Sequence, residues 1–175
     1  HGLPRYPAVL CVSVNEEIVH GIPGPRVVEE GDIVSLDFGV SVDGFHGDSA
    51  VTVPVGEVDE QAKRLLEVTR DALWKGIEAM RPGRRLSDIG HGVQSHFEPE
   101  GFSVVRDFAG HGIGRKLHEP PWIPNFGAEG RGPRLLPGMV FAIEPMVNLG
   151  EPEVRVLDDE WTAVTLDGSL SAHFE

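Results

Sequence analysis

The amino-acid sequence predicts an α+β fold in which an antiparallel sheet packs against a few helices. Two strand-like segments meet at a tight Asp43-Gly44 turn, only two segments show a helical period, and the other apolar segments are short. The 175-residue length fits one domain with a buried core. Hydrophobic residues make up 40% and charged residues 25%, which excludes disordered, collagen-like and coiled-coil chains.

The first half of the chain predicts three strands. Residues 9–14 read as a strand, and a glycine- and proline-rich loop follows over residues 20–25. Residues 33–42 and 45–53 read as the two arms of a hairpin. A two-residue Asp43-Gly44 turn pairs Val42 with Phe45, Ser41 with His46 and Gly39 with Asp48.

Two helices and five further strands complete the prediction. Asp59 is placed to cap a helix that runs through Met80, and Arg81-Pro82-Gly83 ends it. Ser87 is placed to cap a second helix, which Gly101 follows. The apolar residues of the helices recur near the 3.6-residue period: Ala62, Leu65, Leu66, Leu73, Ile77 and Met80, then Ile89, Val93 and Phe97. The further strands are predicted at residues 104–105, 140–143, 154–157, 161–166 and 170–174.

Residues 31–37 align without gaps with residues 138–144. In each segment a glycine comes first, an apolar strand follows, and an acidic residue (Asp37 or Glu144) closes it. This repeat predicts two similar halves, each delivering one carboxylate to a central site, although a glycine followed by a strand is common in proteins.

The charge balance restricts the class of partner. Lys and Arg number 15 against 28 Asp and Glu, a net charge of −13, which is a poor match for nucleic acid or an anionic membrane. No apolar run approaches the roughly 20 residues of a membrane span. The single cysteine, Cys11, excludes an internal disulfide framework and a cysteine-rich zinc site, and it fits a reducing, cytoplasmic compartment.

The hairpin brings two acidic residues together. In the predicted register Asp37 and Asp48 are diagonal neighbours on one face, with the small residues Gly39 and Ala50 between and beside them. Two like charges at this distance destabilise a hairpin unless a cation offsets them. A divalent ion is one explanation, and a solvated face carrying two unrelated acids is the other. A β-bulge would shift the register and remove the argument.

A second unusual segment, residues 108–121, contains His111 between two glycines and His118 before Glu119-Pro120-Pro121. The glycines allow close backbone approach and leave the His111 imidazole uncovered. The spacing matches neither the dinucleotide-binding fingerprint nor the H-E-x-x-H zinc motif. A flexible loop with two histidines remains the alternative.

Two more acids end apolar strands, Glu144 before Pro145 and Glu175 after Phe174, and each alone is compatible with a structural or solvated role. With Asp37, Asp48 and His111 they form a set of four carboxylates and one imidazole, which suits two divalent cations such as Mn, Fe, Co or Zn. A thiol pair of Cys11 and His20 is the rival chemistry, but no neighbouring residue marks Cys11 as activated.

Six segments, taken in order along the chain, together resemble the type I methionine aminopeptidases. The resemblance runs from about Tyr6 to the last residue. It is closer to that family than to prolidase, aminopeptidase P or creatinase. The chain has no long insertion next to residues 104–105, which resembles type I rather than type II. The segments are residues 15–23 (NEEIVHGIP), 36–39 (LDFG), 43–48 (DGFHGD), 110–114 (GHGIG), 142–146 (AIEPM) and 169–175 (SLSAHFE).

The resemblance implies a pita-bread fold with pseudo-twofold halves and a dinuclear metal site. Asp37 would chelate one ion, Asp48 and Glu175 would bridge both, and His111 and Glu144 would complete the second. The activity implied is removal of the N-terminal methionine from nascent proteins and peptides by metal-activated hydroxide attack on the first peptide bond.

The same resemblance assigns the substrate-binding and catalytic residues. His20 and His118 would contact substrate, and Glu144 would also shuttle a proton. The methionine pocket would be lined by Tyr6, Cys11 and Trp161. Leu117 stands where bacterial members carry an aromatic residue, and Asn15 and Ser171 match positions that hold a monovalent cation in some members.

The resemblance also implies how the protein works in the cell. We expect a cytoplasmic monomer that acts on peptide or nascent-chain N-termini, at the ribosome, without binding nucleic acid or membrane. We expect residues 1–175 to form one catalytic domain that lacks an N-terminal segment and a last C-terminal strand. An Xaa-Pro aminopeptidase or dipeptidase of the same fold is the alternative activity, and a catalytically silent binding protein is the alternative of another class.

Overall fold

A computed structural model describes residues 5–175 of the chain. In this range the chain forms two α-helices, one 3₁₀ turn and twelve short strands, an α+β composition as predicted. The helices are α1 (Glu60–Ala79) and α2 (Ser87–Phe97), and the 3₁₀ turn is Glu98–Glu100. The strands are β1 (Cys11–Val14), β2 (Glu17–Val19), β3 (Ile33–Val42), β4 (Phe45–Pro54), β5 (Ser103–Val104), β6 (Gly110–Gly112), β7 (Glu119–Ile123), β8 (Phe141–Ala142), β9 (Met146–Asn148), β10 (Val154–Val156), β11 (Ala163–Thr165) and β12 (Ser171–His173).

The strands form four three-stranded sheets rather than one continuous sheet. Their orders are β1-β3-β4, β10-β11-β2, β12-β9-β5 and β7-β6-β8, and every pairing is antiparallel. The β3–β4 hairpin has the predicted register: Val42 lies opposite Phe45, and Gly39 lies opposite Asp48. No bulge interrupts the ten paired positions, so the hairpin argument for Asp37 and Asp48 holds.

The helices pack together and cover the main hydrophobic core. Leu65 of α1 and Ile89, Val93 and Phe97 of α2 are almost completely buried, as the helical period predicts. Asp59 caps α1, because its carboxylate accepts a hydrogen bond from the Ala62 N–H at 2.7 Å.

The predicted capping role of Ser87 is wrong. Ser87 is the first helical residue of α2, and its hydroxyl accepts a hydrogen bond from the Arg131 N–H at 2.7 Å. The side chain that binds a backbone N–H at this end of the helix is the adjacent Asp88. Its carboxylate accepts a hydrogen bond from the Arg85 N–H, just before the helix, at 2.9 Å. Sequence alone did not distinguish the two neighbouring capping residues.

Four strands were not predicted: β2, β6, β7 and β9. β6 consists of Gly110, His111 and Gly112, and β7 contains Pro120 and Pro121, which are residue types that are rare in strands. Tertiary pairing overrides this local preference, so the flexible-loop alternative for His111 is wrong. Among residues 5–175, no helix has both the length and the apolar character needed to cross a membrane.

Gly90 allows α2 to approach the segment around Pro124. A Cβ at position 90 would overlap the Pro124 carbonyl oxygen and lie 2.9 Å from the Phe126 N atom. We therefore expect Gly90→Ala to lower the free energy of unfolding by about 2 kcal/mol or more, despite the better helix propensity of alanine. The measurement is denaturant unfolding, with Ser95→Ala on the exposed side of α2 as a control expected within about 0.5 kcal/mol of wild type. A Gly90→Ala protein as stable as wild type would contradict the close packing.

Candidate metal centre

The β3–β4 hairpin presents Asp37 and Asp48 on one face. Asp37 pairs with Ala50 and Asp48 pairs with Gly39, so the two carboxylates are diagonal neighbours. A Cβ at Gly39 would lie 3.5 Å from Asp48 Oδ1 and 3.0 Å from the Leu117 side chain. Glycine at position 39 therefore leaves the space that the two carboxylates and Leu117 share.

Glu175 is fixed beside the same hairpin. Its N–H donates to the Ala50 carbonyl at 2.9 Å, which joins the segment after β12 to β4. Its Oε1 atom is buried and has no hydrogen-bond partner among the described residues. A buried carboxylate oxygen without a donor is costly, and a cation satisfies it.

His111 and Glu144 come from the β7-β6-β8 sheet. His111 lies on β6, and Glu144 follows β8 by two residues. His111 Nδ1 lies 2.9 Å from the Gly112 carbonyl oxygen. Donation by Nδ1–H to this carbonyl leaves Nε2 with a free lone pair, the arrangement that a metal-ligating histidine needs. Nε2 lies 3.3 Å from Glu144 Oε1 and 3.7 Å from Asp48 Oδ2.

The structure thus brings together all five residues that the sequence predicts as ligands. Three groups of side chains each offer ligand atoms within 4.8 Å of one another. The groups are Asp37-Asp48-Glu175, His111-Glu144-Glu175, and Asp48-His111-His118. Asp48, Glu175 and His111 each belong to two groups, so the three groups form one continuous centre that includes His118 at its edge.

The electrostatics of this centre favour a cation. Burial raises the pKa of Asp37 to about 6, and the Asp48 carboxylate beside it adds to the shift. Burial, Asp48 and Asp37 raise the pKa of Glu175 to about 8. Burial and the three other carboxylates raise the pKa of Glu144 well above its usual value. Because acids in such a cluster cannot all ionise unaided, the residues fit divalent cations bound by oxygen and nitrogen donors.

A cavity of about 260 Å³ adjoins the two hairpin carboxylates. Its walls are mainly apolar or uncharged, and within residues 5–175 only Asp37 and Asp48 line it with acidic side chains. No lysine or arginine of the described residues lines it. The predicted substrate-binding residues all line this cavity: Tyr6, Cys11, His20, His118 and Trp161. Leu117 lines it as well, next to Gly39.

Aromatic contacts hold the pocket residues in place. The Tyr6 hydroxyl donates to the Gly21 carbonyl at 2.8 Å, and its ring meets Trp161 edge-on at 5.2 Å between centroids. Burial raises the pKa of the Cys11 thiol to about 11. Cys11 is therefore a protonated wall residue at neutral pH, which argues against the rival thiol chemistry.

Two histidines lie at the junction of the cavity and the carboxylates. The His20 backbone adopts the left-handed conformation with φ of 61°, and its ring meets Phe108 and Trp161 edge-on at 5.5 and 5.9 Å. The His118 ring lies 4.3 Å from the His111 ring. Burial, and then the neighbouring His118, lowers the pKa of His20. Burial, and then the neighbouring His111, lowers the pKa of His118. Both imidazoles are therefore neutral near pH 7.

Two residues that support the centre were not identified from sequence. Phe108 contacts His20, and the Asn125 amide donates to the Glu144 carbonyl at 2.9 Å. Phe108 is the first residue of the histidine-containing segment 108–121 but has no predicted role there, and Asn125 lies outside the predicted motifs, so only their spatial placement identifies them.

The predicted monovalent-cation residues are neighbours, because the Ser171 N–H donates to the Asn15 carbonyl at 2.9 Å. The Asn15 amide already binds Asp32 and the Ile33 N–H, so its side-chain oxygen is occupied. A monovalent cation at this position stays a prediction.

Comparison with known proteins places this geometry in context. The model of metallopeptidase family M24 matches residues 2–172. Methionine aminopeptidase 1 of Bacillus subtilis is 57% identical over 166 residues, covering 95% of this chain and 67% of the relative. The methionine aminopeptidase of Clostridium perfringens is 55% identical over 174 residues, covering 99% and 70%. The crystal structure of the Thermotoga maritima methionine aminopeptidase superposes with a TM-score of 0.93 at 55% identity, covering 94% of this chain and 67% of that one.

The raised carboxyl pKa values give the metal-free protein a characteristic pH dependence. Glu175 has a pKa near 8 when folded but an ordinary pKa when unfolded, so the native state holds the extra proton between those values. Stability therefore falls with rising pH in this window. The interval to measure is about pH 7.5 to 8.5, above the ordinary histidine pKa of about 6.5, so that histidine titration contributes little to the slope.

In chelator, we expect the thermal midpoint to fall across this interval, and with saturating Mn²⁺ we expect it to rise, because cation binding competes with protons. Glu175→Gln, which cannot ionise, should flatten the fall in chelator. A metal-free midpoint that rises over the interval in the wild type would contradict the electrostatic argument.

Proposed function

The chain belongs to metallopeptidase family M24, and from this premise we propose that it is a methionine aminopeptidase that removes the N-terminal methionine from peptides and proteins. The observation that carries the proposal is the continuity between the apolar cavity and the five-residue cluster. A side chain in the cavity leaves its own peptide bond beside the cluster. The identity of more than half of the aligned residues to methionine aminopeptidases supports the same activity. The family also accounts for the pita-bread fold.

Five side chains would hold two divalent cations. Asp37, Asp48, His111, Glu144 and Glu175 would hold them, since their ligand atoms lie within 4.8 Å of one another in overlapping groups. When bound, such ions lower the pKa of water towards neutrality and polarise a carbonyl group. The donor set excludes no hard or borderline ion, and Co, Mn, Fe or Zn are all compatible with it.

Substrate selection follows from the cavity. Tyr6, Cys11 and Trp161 offer an uncharged wall with aromatic edges, and thioether sulfur makes favourable contacts with such edges. A cation held at the end of the cavity would offer a binding position to the free α-amino group of the first residue. This pairing of an apolar cavity with a cation-binding end favours cleavage after a single N-terminal residue.

Proton handling is assigned to three side chains. His118, neutral and at the edge of the cluster, would donate its N–H towards the scissile carbonyl oxygen as negative charge develops there. Glu144, whose carboxylate lies in the cluster 3.3 Å from His111 Nε2, would carry a proton to the leaving nitrogen. His20 would orient the peptide group on the leaving side.

The cellular setting is part of the same proposal. A methionine-removing enzyme acts on newly made chains, so its substrates would be nascent-chain N-termini in the cytoplasm, close to the ribosome. We assign the monomer as the working form, and residues 1–175 as one catalytic domain within a longer chain. The net charge of −13 supports a partner other than nucleic acid.

Peptide cleavage tests the proposal directly. Metal-loaded protein should release the first residue from Met-Ala-Ser and leave Ala-Pro-Ser intact, measured by mass spectrometry. Asp37→Ala should reduce the rate to that of wild-type protein without metal, because one cation loses its chelating carboxylate. Cleavage of Ala-Pro-Ser alone would indicate an Xaa-Pro aminopeptidase. Failure to bind metal or to cleave either peptide would indicate a silent binding protein.

His118→Ala separates a catalytic donor from a metal ligand. We expect kcat to fall about a hundredfold with KM little changed, as for loss of one donor to a developing oxyanion. Metal content, measured by elemental analysis of the purified variant, should match the wild type. Loss of metal from His118→Ala would instead make His118 a ligand, as its proximity to Asp48 and His111 permits.

A further inference from the structure

His118, the proposed donor to the scissile carbonyl oxygen, lies on an irregular loop rather than on a strand. The loop, residues 113–118, joins β6 to β7, and the Gly112–Glu119 pair of the β6–β7 ladder closes it. A donor to a developing oxyanion acts only from a fixed position. The contacts that hold this loop therefore determine whether His118 can act.

The first half of the loop is attached to the β3–β4 hairpin. The His46 N–H donates to the Gly114 carbonyl at 2.7 Å. The guanidinium carbon of Arg115 lies 4.6 Å from the centroid of the Phe45 ring, which is the geometry of a cation–π contact. Since the same hairpin carries two of the proposed metal ligands, these contacts fix the start of the loop relative to the metal centre.

The Glu119 carboxylate holds the second half of the loop. Its Oε1 atom accepts a hydrogen bond from the Lys116 N–H at 2.8 Å. A Cβ at Gly114 would lie 3.4 Å from both carboxylate oxygens, so the carboxylate packs directly against the loop backbone. A hydrogen bond from a backbone N–H to a carboxylate is roughly twice as strong as one between neutral groups. This side chain thus ties the last position of the connection back to its middle.

The hydrogen bond from Lys116 to Glu119 encloses only two residues, Leu117 and His118. Glu119 is itself fixed by its ladder pair with Gly112, so both ends of this short segment are held. Its remaining contact with the hairpin is apolar, where the Leu117 side chain lies beside Gly39. The direction of the His118 side chain therefore depends on where the Glu119 carboxylate holds the Lys116 N–H.

We infer that Glu119 is a positioning residue for His118, and that its carboxylate holds the loop so that the His118 ring stays at the Asp48–His111 edge of the metal centre. The inference rests on the proposed function, in which His118 donates to the developing oxyanion. The arrangement to be held is the group in which ligand atoms of Asp48, His111 and His118 lie within 4.8 Å of one another. Without the carboxylate, water would bind the Lys116 N–H, and the His118 donor would no longer be fixed.

Kinetics of the metal-loaded protein on Met-Ala-Ser provide the first test. Glu119→Ala removes the acceptor, and we expect kcat to fall about tenfold with KM and metal content little changed. Glu119→Gln keeps a side-chain oxygen that accepts from the Lys116 N–H, and it should stay within about threefold of wild type. Lys116→Ala is the matched control, because it keeps the backbone N–H and should retain the wild-type kcat.

A double variant tests whether Glu119 acts through His118. In a His118→Ala background, Glu119→Ala should cause no further loss of kcat, because the donor that it positions is already absent. Val68→Ala in the core of α1 is the stability control, and it should lower the thermal midpoint without lowering kcat.

Amide hydrogen exchange, measured by mass spectrometry, follows the loop without relying on activity. We expect faster exchange within residues 113–118 in Glu119→Ala, wild-type exchange in Glu119→Gln, and unchanged exchange of β6 in both. If Glu119→Ala does not fold, Glu119→Met, which also lacks the carboxylate, takes its place.

The outcomes are distinct. Unchanged kcat in Glu119→Ala, loss of its metal, or an equal loss of kcat in the His118→Ala background would each overturn the positioning role. So would a Glu119→Gln variant as slow as Glu119→Ala. A wild-type protein that binds metal but does not cleave Met-Ala-Ser would overturn the proposed function and this inference with it. An active wild type whose Glu119→Ala variant has normal kcat and normal exchange would overturn this inference alone.

Discussion

The repulsion between buried carboxylates is the constraint on which the rest of the structure depends. Burial raises the pKa values of Asp37, Asp48, Glu144 and Glu175, neighbouring carboxylates add to the shift for all of them except Asp48, and no lysine or arginine contacts them within residues 5–175. The free energy that holds them together comes from elsewhere: the uninterrupted β3–β4 ladder and the helix-covered core. The fold thus maintains an unfavourable charge arrangement that a cation converts into a favourable one.

The two segments that align in the sequence supply corresponding parts of the centre. Asp37 lies within β3 and Glu144 follows β8, and in both segments the acid comes after a short apolar run that a glycine precedes. One half therefore contributes the hairpin carboxylates and the other contributes His111 and Glu144. A centre between two halves needs rigid support on both sides, and glycines provide it on the second side. A Cβ at Gly110 would overlap the Ala142 carbonyl oxygen, and one at Gly112 would lie 3.0 Å from the Glu119 carbonyl oxygen.

Sequence reasoning succeeded where local chemistry determines geometry. The Asp43-Gly44 turn fixes the hairpin register, and the register alone makes Asp37 and Asp48 neighbours. It failed where long-range pairing overrides local preference: β6 is glycine-rich and β7 contains two prolines, yet both are strands because they pair with each other. It also assigned no role to Phe108 or Asn125, whose importance depends on what lies beside them in space. Ser87 and Asp88 show the same limit on a smaller scale, since either could cap a helix.

The hydrogen bond from the Glu175 N–H to the Ala50 carbonyl joins two points separated by most of the chain. Contacts of such high sequence separation form late in folding, because the loop-closure entropy must be overcome first. During synthesis the hairpin emerges early, whereas Glu175 follows both helices and all twelve strands of the described residues. Until that residue docks, the nascent enzyme has only part of its coordination sphere. Tight cation uptake would accordingly report that this long-range contact has formed.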